Sequence, residues 1–406
     1  ADLLGRAPPL SRPTVSRRLA VVPGGYEDFA IKPSAAAAKP RIFVPPDYFM
    51  CGECRIELDD PGDRRFRYPF INCTQCGPRY TLIRALPYDR PNTTLAGFEL
   101  CPACRAEYED PLDRRFHAEP VACADCGPEL AFHLSGQPVS VTREAALAAA
   151  LELLRDGLVL AVKGVGGYHL MCDARDEAAV RRLRERKKRP HKPLAVMFAE
   201  RGADGLQEIG DTVLLTEAAA DLLRSPLRPI VLASVAARAS LAPSVAPGLG
   251  EIGVFLPYSP LHHLLLNAFA APLVATSGNL SGEPVLTDND EAARRLAAIA
   301  DGFLQHDRPI ERPADDPVFR QIGTAMRPLR IGRGCAPLEL ALPFTLERPL
   351  LATGGHMKNT LALAWEDRVV VSPHIGDMGS PRSLDVFERV GADLQRLYGI
   401  DVQQLV

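Results

Sequence analysis

The chain has 406 residues, a formal net charge of −3 at pH 7 and a hydrophobic fraction of 47%. That length is expected to hold roughly two to four domains. The balanced charge gives no general pull toward nucleic acid or membrane surfaces, and no apolar run approaches the roughly 18 residues of a membrane-spanning helix.

Both ends read as cut, since the chain opens at Ala1 in a polar stretch and stops abruptly at Val406. Alternating hydrophobicity predicts one or two strands around Leu19–Val22 and Phe29–Ile31. Residues 1–49 are too few for a domain of their own. They read as the tail of one, closing in a Pro/Ala-rich linker.

Eight of the ten cysteines lie between Met50 and Leu130 as four Cys-x2-Cys pairs: Cys51/Cys54, Cys73/Cys76, Cys101/Cys104 and Cys123/Cys126. The intervening gaps are 18, 24 and 18 residues. Residues 51–78 align without a gap on 101–128, an internal repeat of period 50. Each copy carries Cys-x2-Cys-Arg, Asp-Pro-x-Asp-Arg-Arg-Phe and Cys-x2-Cys-Gly-Pro. A tight turn supplies two thiolates and the loop returns with two more, the pattern of a four-cysteine zinc site. Two structural Zn²⁺ are expected over residues 50–134. One is assigned to Cys51, Cys54, Cys73 and Cys76, the other to Cys101, Cys104, Cys123 and Cys126. A crossed scheme, first pair with fourth and second with third, satisfies the same spacing. Disulfides are the competing reading. Nothing in the sequence suggests secretion, no leader is expected, and thiol-rich knuckles suit a reducing cytosol, so a cytoplasmic protein is expected. Between the halves, Thr81, Leu82 and Ile83 are expected to form a short strand, and Asp89-Arg90-Pro91 a turn.

From 135 to 340 the texture is α/β. Thr142 is expected to cap a helix that buries Leu147, Leu151 and Leu154 and ends at Gly157. A buried strand at 158–162 runs into the Gly-rich stretch 163–170. Asp176 is expected to cap the next helix, which ends in the basic run 181–192. Strands are predicted at 193–198, 229–233, 252–257 and 272–277, and a helix at about 289–300. Residues 303–336 read as strand and loop rich in Arg and Asp. A third unit, 341–406, reads as strand, Gly-Gly turn, two strands and an amphipathic helix at 380–399 with Leu384, Phe387, Val390, Leu394 and Leu397 on one face. Trp365 is expected in its core.

Three pieces of the middle region suit an anionic ligand. Gly164, Gly166 and Gly167 let backbone N–H groups approach a phosphate or carboxylate. Lys187 and Arg189, in Lys-x-Arg-Pro, add cations. Ser277-Gly278-Asn279-Leu280-Ser281-Gly282 follows a strand, where ligands of α/β sheets bind. Taken singly these are a Gly turn, a solvated helix end and a polar turn. Their order within one domain is what carries weight.

That order resembles the YrdC-like family, which forms carbamoyl- or threonylcarbamoyl-adenylates from ATP. With the cysteine array, the chain resembles the HypF family of carbamoyltransferases that mature nickel–iron hydrogenases. Pro8-Pro9-Leu10 and Phe29-x-Ile31 resemble the end of its acylphosphatase domain. The segments 86–94, 107–128, 162–174, 186–197, 276–284, 306–318, 354–364 and 372–378 resemble its later signatures. The implied architecture is multidomain α/β: a double four-cysteine zinc-finger module, a YrdC-like domain with a twisted mixed sheet, and the truncated start of an actin-like ATPase domain. The implied relay releases carbamate from carbamoyl phosphate and joins it to AMP at the cost of ATP. The carbamoyl group then passes to the C-terminal cysteine of a partner protein, as precursor of a cyanide ligand. The family's His-x3-His motif is absent from the sequence, as is the acylphosphatase loop. Carbamoyl transfer is therefore not expected to be completed by this chain alone.

On this resemblance Lys187 and Arg189 hold phosphates, and Ser277, Asn279 and Ser281 support the nucleotide. Lys163, Gly164, Gly166, Gly167 and Tyr168 line the acyl pocket. Arg308 and Arg312 grip carbamate or pyrophosphate. Asp315 and Asp316 hold Mg²⁺ with ATP, with pairing to arginines as the alternative. His169 lines the pocket or sits in the core, and Cys172 and Cys335, outside the knuckles, read as buried or incidental thiols. Gly354, Gly355, Lys358, Asn359 and Thr360 resemble an actin-like phosphate loop, and His374 and Asp377 a second signature. Two other functions compete. A threonylcarbamoyl-adenylate synthase shares the YrdC-like core but not the cysteines. A zinc-dependent nucleic-acid binder would use Arg64, Arg65, Arg114, Arg115, Phe66 and Phe116, against interleaved acids and a negative net charge.

Overall fold

A computed structural model describes residues 43–237 and 239–406, so the strands expected at Leu19–Val22 and Phe29–Ile31 lie outside the described residues. The two knuckle repeats fold alike. Each first Cys-x2-Cys pair opens a short helix, α1 (Gly52–Asp59) and α2 (Pro102–Glu109), with Cys51 and Cys101 at the N-cap positions. The strand expected at Thr81–Ile83 does not form. Asp47 Oδ1 accepts bonds from both the amide and the hydroxyl of Thr81, at 3.2 and 2.8 Å. Only an isolated bridge, Ile83 to Thr93, remains.

The α/β region comprises β1 (Leu130–Leu134), β2 (Val141–Thr142), α3 (Arg143–Arg155), β3 (Leu160–Lys163), β4 (Tyr168–Asp173), α4 (Glu177–Lys187), β5 (Val196–Met197), α5 (Gln207–Thr212), α6 (Glu217–Arg224), β6 (Ile230–Ser234), β7 (Glu251–Phe255), α7 (Pro260–Phe269), β8 (Leu273–Ser277), α8 (Asn289–Arg295), β9 (Gly302–His306), β10 (Val318–Ile322) and β11 (Ala325–Arg330). Its strands form one mixed sheet in the order β11-β10-β6-β7-β5-β8-β4-β3-β9-β1-β2. Alternate residues of a strand serve opposite faces. Leu160 and Val162 of β3 pack with α3, α7 and the knuckle module, whereas Val159 and Ala161 pack with α4, α5 and α6. The sheet is thus covered on both sides, which explains the unbroken apolar run 158–162.

Several boundaries differ from expectation. Asp176 caps α4 as foreseen, accepting from the amides of Ala178 and Ala179. Thr142 occupies the N-cap of α3 but makes no capping side-chain bond. Residues Tyr168 and His169, expected in the Gly-rich loop, belong to β4. There His169 pairs with Ser277. The helix expected to reach 300 stops at Arg295.

The remaining unit holds β12 (Leu338–Ala341), β13 (Leu350–Ala352), β14 (Ala362–Trp365), β15 (Arg368–Val371), α9 (Pro381–Tyr398) and β16 (Gln404–Leu405), in sheet order β12-β15-β14-β13-β16. Trp365 is buried as expected and lies 5.3 Å from the Tyr398 ring. Leu384, expected on the inner face of α9, is exposed, and Val386 takes the core position. Where helix meets sheet, the packing surface rather than the apolar count selects the stripe.

Arg312 joins the modules. It is buried, donates to the carbonyls of Tyr80 and Ile83, stands over the Tyr80 ring, and lies 3.5 Å from Asp393 of α9. Expected to grip a small anion, it is instead consumed as a structural pin. Truncation leaves two buried carbonyls without their partner, while Asp393 keeps its pairing with Arg396. Arg312→Ala should therefore destabilise the C-terminal unit by about 2–4 kcal/mol. Urea unfolding followed through the single tryptophan, Trp365, checks this, and an unshifted midpoint refutes the pin.

Candidate functional site

The four sulfurs of each repeat converge. Cys51, Cys54, Cys73 and Cys76 form one group, and Cys101, Cys104, Cys123 and Cys126 the other, with ligand atoms all within 4.8 Å of one another. Neighbouring sulfurs are 3.6 to 3.8 Å apart. A tetrahedron with Zn–S near 2.3 Å has edges of about 3.8 Å, so both clusters fit Zn²⁺. The pairing is within each repeat, the crossed scheme is excluded, and all eight cysteines are free of disulfides. Bound zinc would close each four-thiolate knuckle, with no ligand position left for catalysis.

The arginines, however, are exchanged between repeats. Asp63 and Asp113 each accept the amide two residues on, a local turn that precedes the reach of each Arg-Arg pair into the other repeat. Arg64 donates to Cys104 Sγ at 3.0 Å and Cys101 Sγ at 3.6 Å. Arg114 of the second repeat donates to Cys54 Sγ at 3.3 Å in the first. Arg65 binds Glu107 and the Ala122 carbonyl, and Arg115 binds Glu57 and the Asn72 carbonyl. These arginines are committed to thiolates and carboxylates of the module itself, which removes the basis for reading them as a nucleic-acid surface.

The second constellation lies where β4 begins and β8 ends. The last turn of α4 delivers Lys187, whose ammonium donates to the Ser277 carbonyl at 2.6 Å and to the carbonyl and Oδ1 of Asn279 at 2.8 Å each. Ser277 Oγ donates to Asn279 Oδ1 at 2.9 Å. Burial, reinforced by Arg189, pulls Lys187 down to about 7. Burial, with Arg184 and Arg330 adding to it, pulls Arg189 down to about 10, and its Nε is buried without a partner. Ser281 is exposed on the rim. The structure therefore brings Lys187, Ser277 and Asn279 together, with Arg189 in electrostatic contact.

Other expected contributors are turned elsewhere. The Gly-rich turn is closed on itself and on the protein. Gly164 N–H donates to the Gly167 carbonyl at 2.8 Å, and a Cβ at Gly164 or Gly166 would collide with the Tyr258 hydroxyl or the Ala314 carbonyl. Its glycines are required by close protein contacts, and the Gly164 amide is not free to cradle a phosphate. Lys163 is buried and donates to Asn289 Oδ1 and the His306 carbonyl, and Tyr168 hydrogen-bonds Asn289 and Gln305. Neither lines an open acyl pocket through its polar end.

Asp315 and Asp316 diverge, as neighbours in extended chain must. Asp316 receives His169 Nε2 at 2.7 Å and Arg333 at 2.9 Å; burial favours its neutral form, but His169 and Arg333 outweigh it and hold the carboxyl well below the usual range. His169 Nδ1 lies 3.0 Å from the Tyr258 hydroxyl, completing a buried Asp–His–Tyr chain. Asp315 faces His374 of the C-terminal unit at 3.1 Å and Arg330 at 4.0 Å; burial is again outweighed, by Arg330 and then His374. The expected two-carboxylate Mg²⁺ site does not fit these partners. Arg330, which acts electrostatically on Arg189 as well as on Asp315, was missed in sequence because it sits in a run already crowded with arginines. Cys172 is buried in the core and Cys335 is half-buried.

Paired four-cysteine fingers, a YrdC-like α/β domain and the first sheet and helix of a further domain define a multidomain class. Family comparisons divide the chain the same way. The HypF finger model matches residues 50–83 and 100–133. The Sua5/YciO/YrdC model, described as telomere recombination, matches 152–332. The HypF Kae1-like domain model matches 345–406. Carbamoyltransferase HypF of Synechocystis sp. is 50% identical over 382 residues, covering 94% of this chain and 49% of that protein. The namesake from Rhodobacter capsulatus is 46% identical over 401 residues, covering 98% and 52%. The crystal structure of full-length HypF in its phosphate- and nucleotide-bound form superposes with a TM-score of 0.84 at 40% identity, covering 89% of this chain and 47% of that one. The chain belongs to the HypF family, and it spans about half the length of the curated relatives it matches.

Because each metal cluster leans on an arginine of the other repeat, Arg64→Ala should speed zinc release from the Cys101 cluster by about tenfold, the usual scale for groups that support metal ligands. Arg114→Ala should do the same for the Cys51 cluster. Release to a chromogenic chelator, read against tryptic mapping of the exposed thiols, checks this. Release unchanged in both variants would show the arginines to be bystanders.

Proposed function

We propose that this chain is the finger and carbamoyl-adenylate-forming portion of a carbamoyltransferase of nickel–iron hydrogenase maturation. The observation that carries the reading is the meeting of Lys187 with the Ser277–Asn279 turn, backed by Arg189, at the end of β8. Three features support it: the family membership, the excess of buried cations over free carboxylates, and flanking fingers and Kae1-like start that a stand-alone threonylcarbamoyl-adenylate synthase does not need.

In the proposed reaction a carbamate oxygen, derived from carbamoyl phosphate, attacks the α-phosphorus of ATP. The bond to pyrophosphate breaks and carbamoyl-adenylate forms. Lys187 exchanges its carbonyl partners for phosphate oxygens, and Arg189 offers its unpartnered Nε side. Both offset charge on the leaving pyrophosphate in a site already shielded from water, where such interactions are strongest. Ser277 and Asn279 hold the ammonium in position until the nucleotide arrives. The adenylate is then the donor to a thiol of a partner protein's C-terminal cysteine, a step that needs surfaces beyond this site.

Replacing Lys187 and Arg189 together by alanine should lower carbamate-dependent ATP–pyrophosphate exchange by about a hundredfold or more. Exchange that survives the double substitution removes the reading. Protonation offers an independent check. The free-state ammonium sits at about 7, and a bound phosphate raises it. Below pH 7 lysine is charged before and after binding, so no proton moves. Above pH 7 nucleotide binding takes up a proton, and affinity falls as pH rises. Calorimetry of ATP binding at pH 8, in buffers of different ionisation enthalpy, should show this uptake in the native chain and not in Lys187→Met. Equal proton uptake in both would show that another group titrates.

A further inference from the structure

The two thiol clusters repeat in sequence but not in surroundings. Cys54, Cys73 and Cys76 belong to one apolar core with α3 and α7, and Cys51 packs against it. No thiol of the second repeat joins an apolar core among the described residues, and both Cys101 and Cys126 are only half-buried.

The loop from Cys73 to Cys76 is also held from behind. Tyr48 and Gly77 exchange backbone hydrogen bonds of 3.1 Å each. The Arg79 guanidinium donates to the carbonyls of Cys73, Thr74 and Pro78 at 2.7, 3.1 and 2.9 Å. Fifty residues on, the same positions hold Phe98, Gly127 and Glu129. Phe98 and Gly127 form no such bridge among the described residues, and Glu129 pairs with Arg143 instead. A carboxylate has no N–H to give to the carbonyls of the Cys123–Cys126 loop. Thr74 Oγ1 donates to the Arg114 carbonyl at 3.1 Å, whereas its counterpart Ala124 has no hydroxyl.

Charge differs in the same sense. In each repeat the amide two residues past the third cysteine donates to that cysteine's sulfur at 3.4 Å. The residue is Gln75 in the first repeat and Asp125 in the second, where Asp125 Oδ2 lies 3.8 Å from Cys123 Sγ. Four thiolates around Zn²⁺ leave a net negative charge, and a neighbouring carboxylate adds to it. Arg64 and Arg114 serve the two clusters alike, so they do not cancel the difference.

We propose that the second repeat is a site of oxidative modification, at which a peroxide converts two of its cysteines to a disulfide and the zinc is released, while the first repeat keeps its metal as part of the α/β core. Access selects the thiolates that react. The sulfur of Cys101 or Cys126 attacks a peroxide oxygen, the O–O bond breaks and hydroxide leaves, giving a sulfenic acid. Cys123 Sγ, 3.7 Å from Cys101 Sγ and 3.8 Å from Cys126 Sγ, then attacks that sulfur. The S–S bond forms and a second hydroxide leaves. Two thiolates are oxidised, one peroxide is reduced, and two protons from solvent complete two waters. Thiol reductant and zinc reverse the change.

The test uses the full chain loaded with zinc at both clusters and treated with hydrogen peroxide. A chromogenic chelator reads the release, native mass spectrometry counts the zinc retained, and differential alkylation with tryptic mapping locates the disulfide. One equivalent should leave about tenfold faster than the other, the scale on which the surroundings of metal ligands act. Its loss should coincide with a disulfide from Cys123 to Cys101 or Cys126, with Cys51, Cys54, Cys73 and Cys76 still reduced. Dithiothreitol with added zinc should restore the second equivalent. Asp125→Gln keeps every cysteine and copies the first repeat, and it should slow the faster release by about threefold, the scale of one exposed charge interaction. Equal release from the two repeats, a first disulfide among Cys51 to Cys76, or a rate unmoved by Asp125→Gln overturns the proposal.

Discussion

The pairing of β4 with β8, which sets His169 opposite Ser277, is the constraint from which the candidate site follows. Because it is antiparallel, the start of one strand and the end of the other lie together. The Gly-rich turn and the Ser-Gly-Asn turn therefore meet at one edge, joined where the Gly278 amide reaches the Tyr168 carbonyl. A slip of one residue would turn every side chain to the opposite face. His169 would leave Asp316 and Tyr258, and Lys187 would lose the two carbonyls that now hold it. Because both faces are apolar, hydrophobic alternation alone does not fix this register; the close packing of each face and the polar partners of His169 and Lys187 do.

The finger module solves a different problem. Its helices are eight residues each, and it has few regular hydrogen bonds of its own. Thiolate clusters take the place of a broad apolar core, as in small metal-stapled domains. Duplication alone would yield two independent knuckles. The exchange of Arg64 and Arg114 makes them one unit, because each cluster's negative charge is offset by a guanidinium from the other repeat. The paired carboxylates Glu57 and Glu107 then hold those arginines in place.

Across the α/β domain the acids and bases are unequally settled. Asp316 is held by Arg333 and His169, and Asp315 lies between Arg330 and His374. The cations Lys187, Arg189 and Arg308 instead rest on carbonyls or an aromatic ring. Burial weakens the protonated form of all three. A domain that hides unbalanced positive charge is suited to anionic ligands, and the contact of Asp315 with His374 places the C-terminal unit beside that charge.

Local order in the chain determined a good deal. The thiol spacing and the period of 50 mark two groups of four thiols with the spacing of zinc knuckles, since two residues between cysteines span one turn whatever surrounds them. The alternation of strand, glycine turn, capped helix and polar turn marks the α/β domain and the grouping of Lys187 with Ser277 and Asn279. Which repeat each arginine would serve was not legible, nor that Arg312 would pin α9, that Asp316 would be spent on His169 and Arg333, or that the glycines answer to Tyr258 and Ala314. Those partners are separated by tens to hundreds of positions. Adjacent residues in extended chain point to opposite sides, so their roles depend on what the packing sets before each face, and only the assembled tertiary structure decides that.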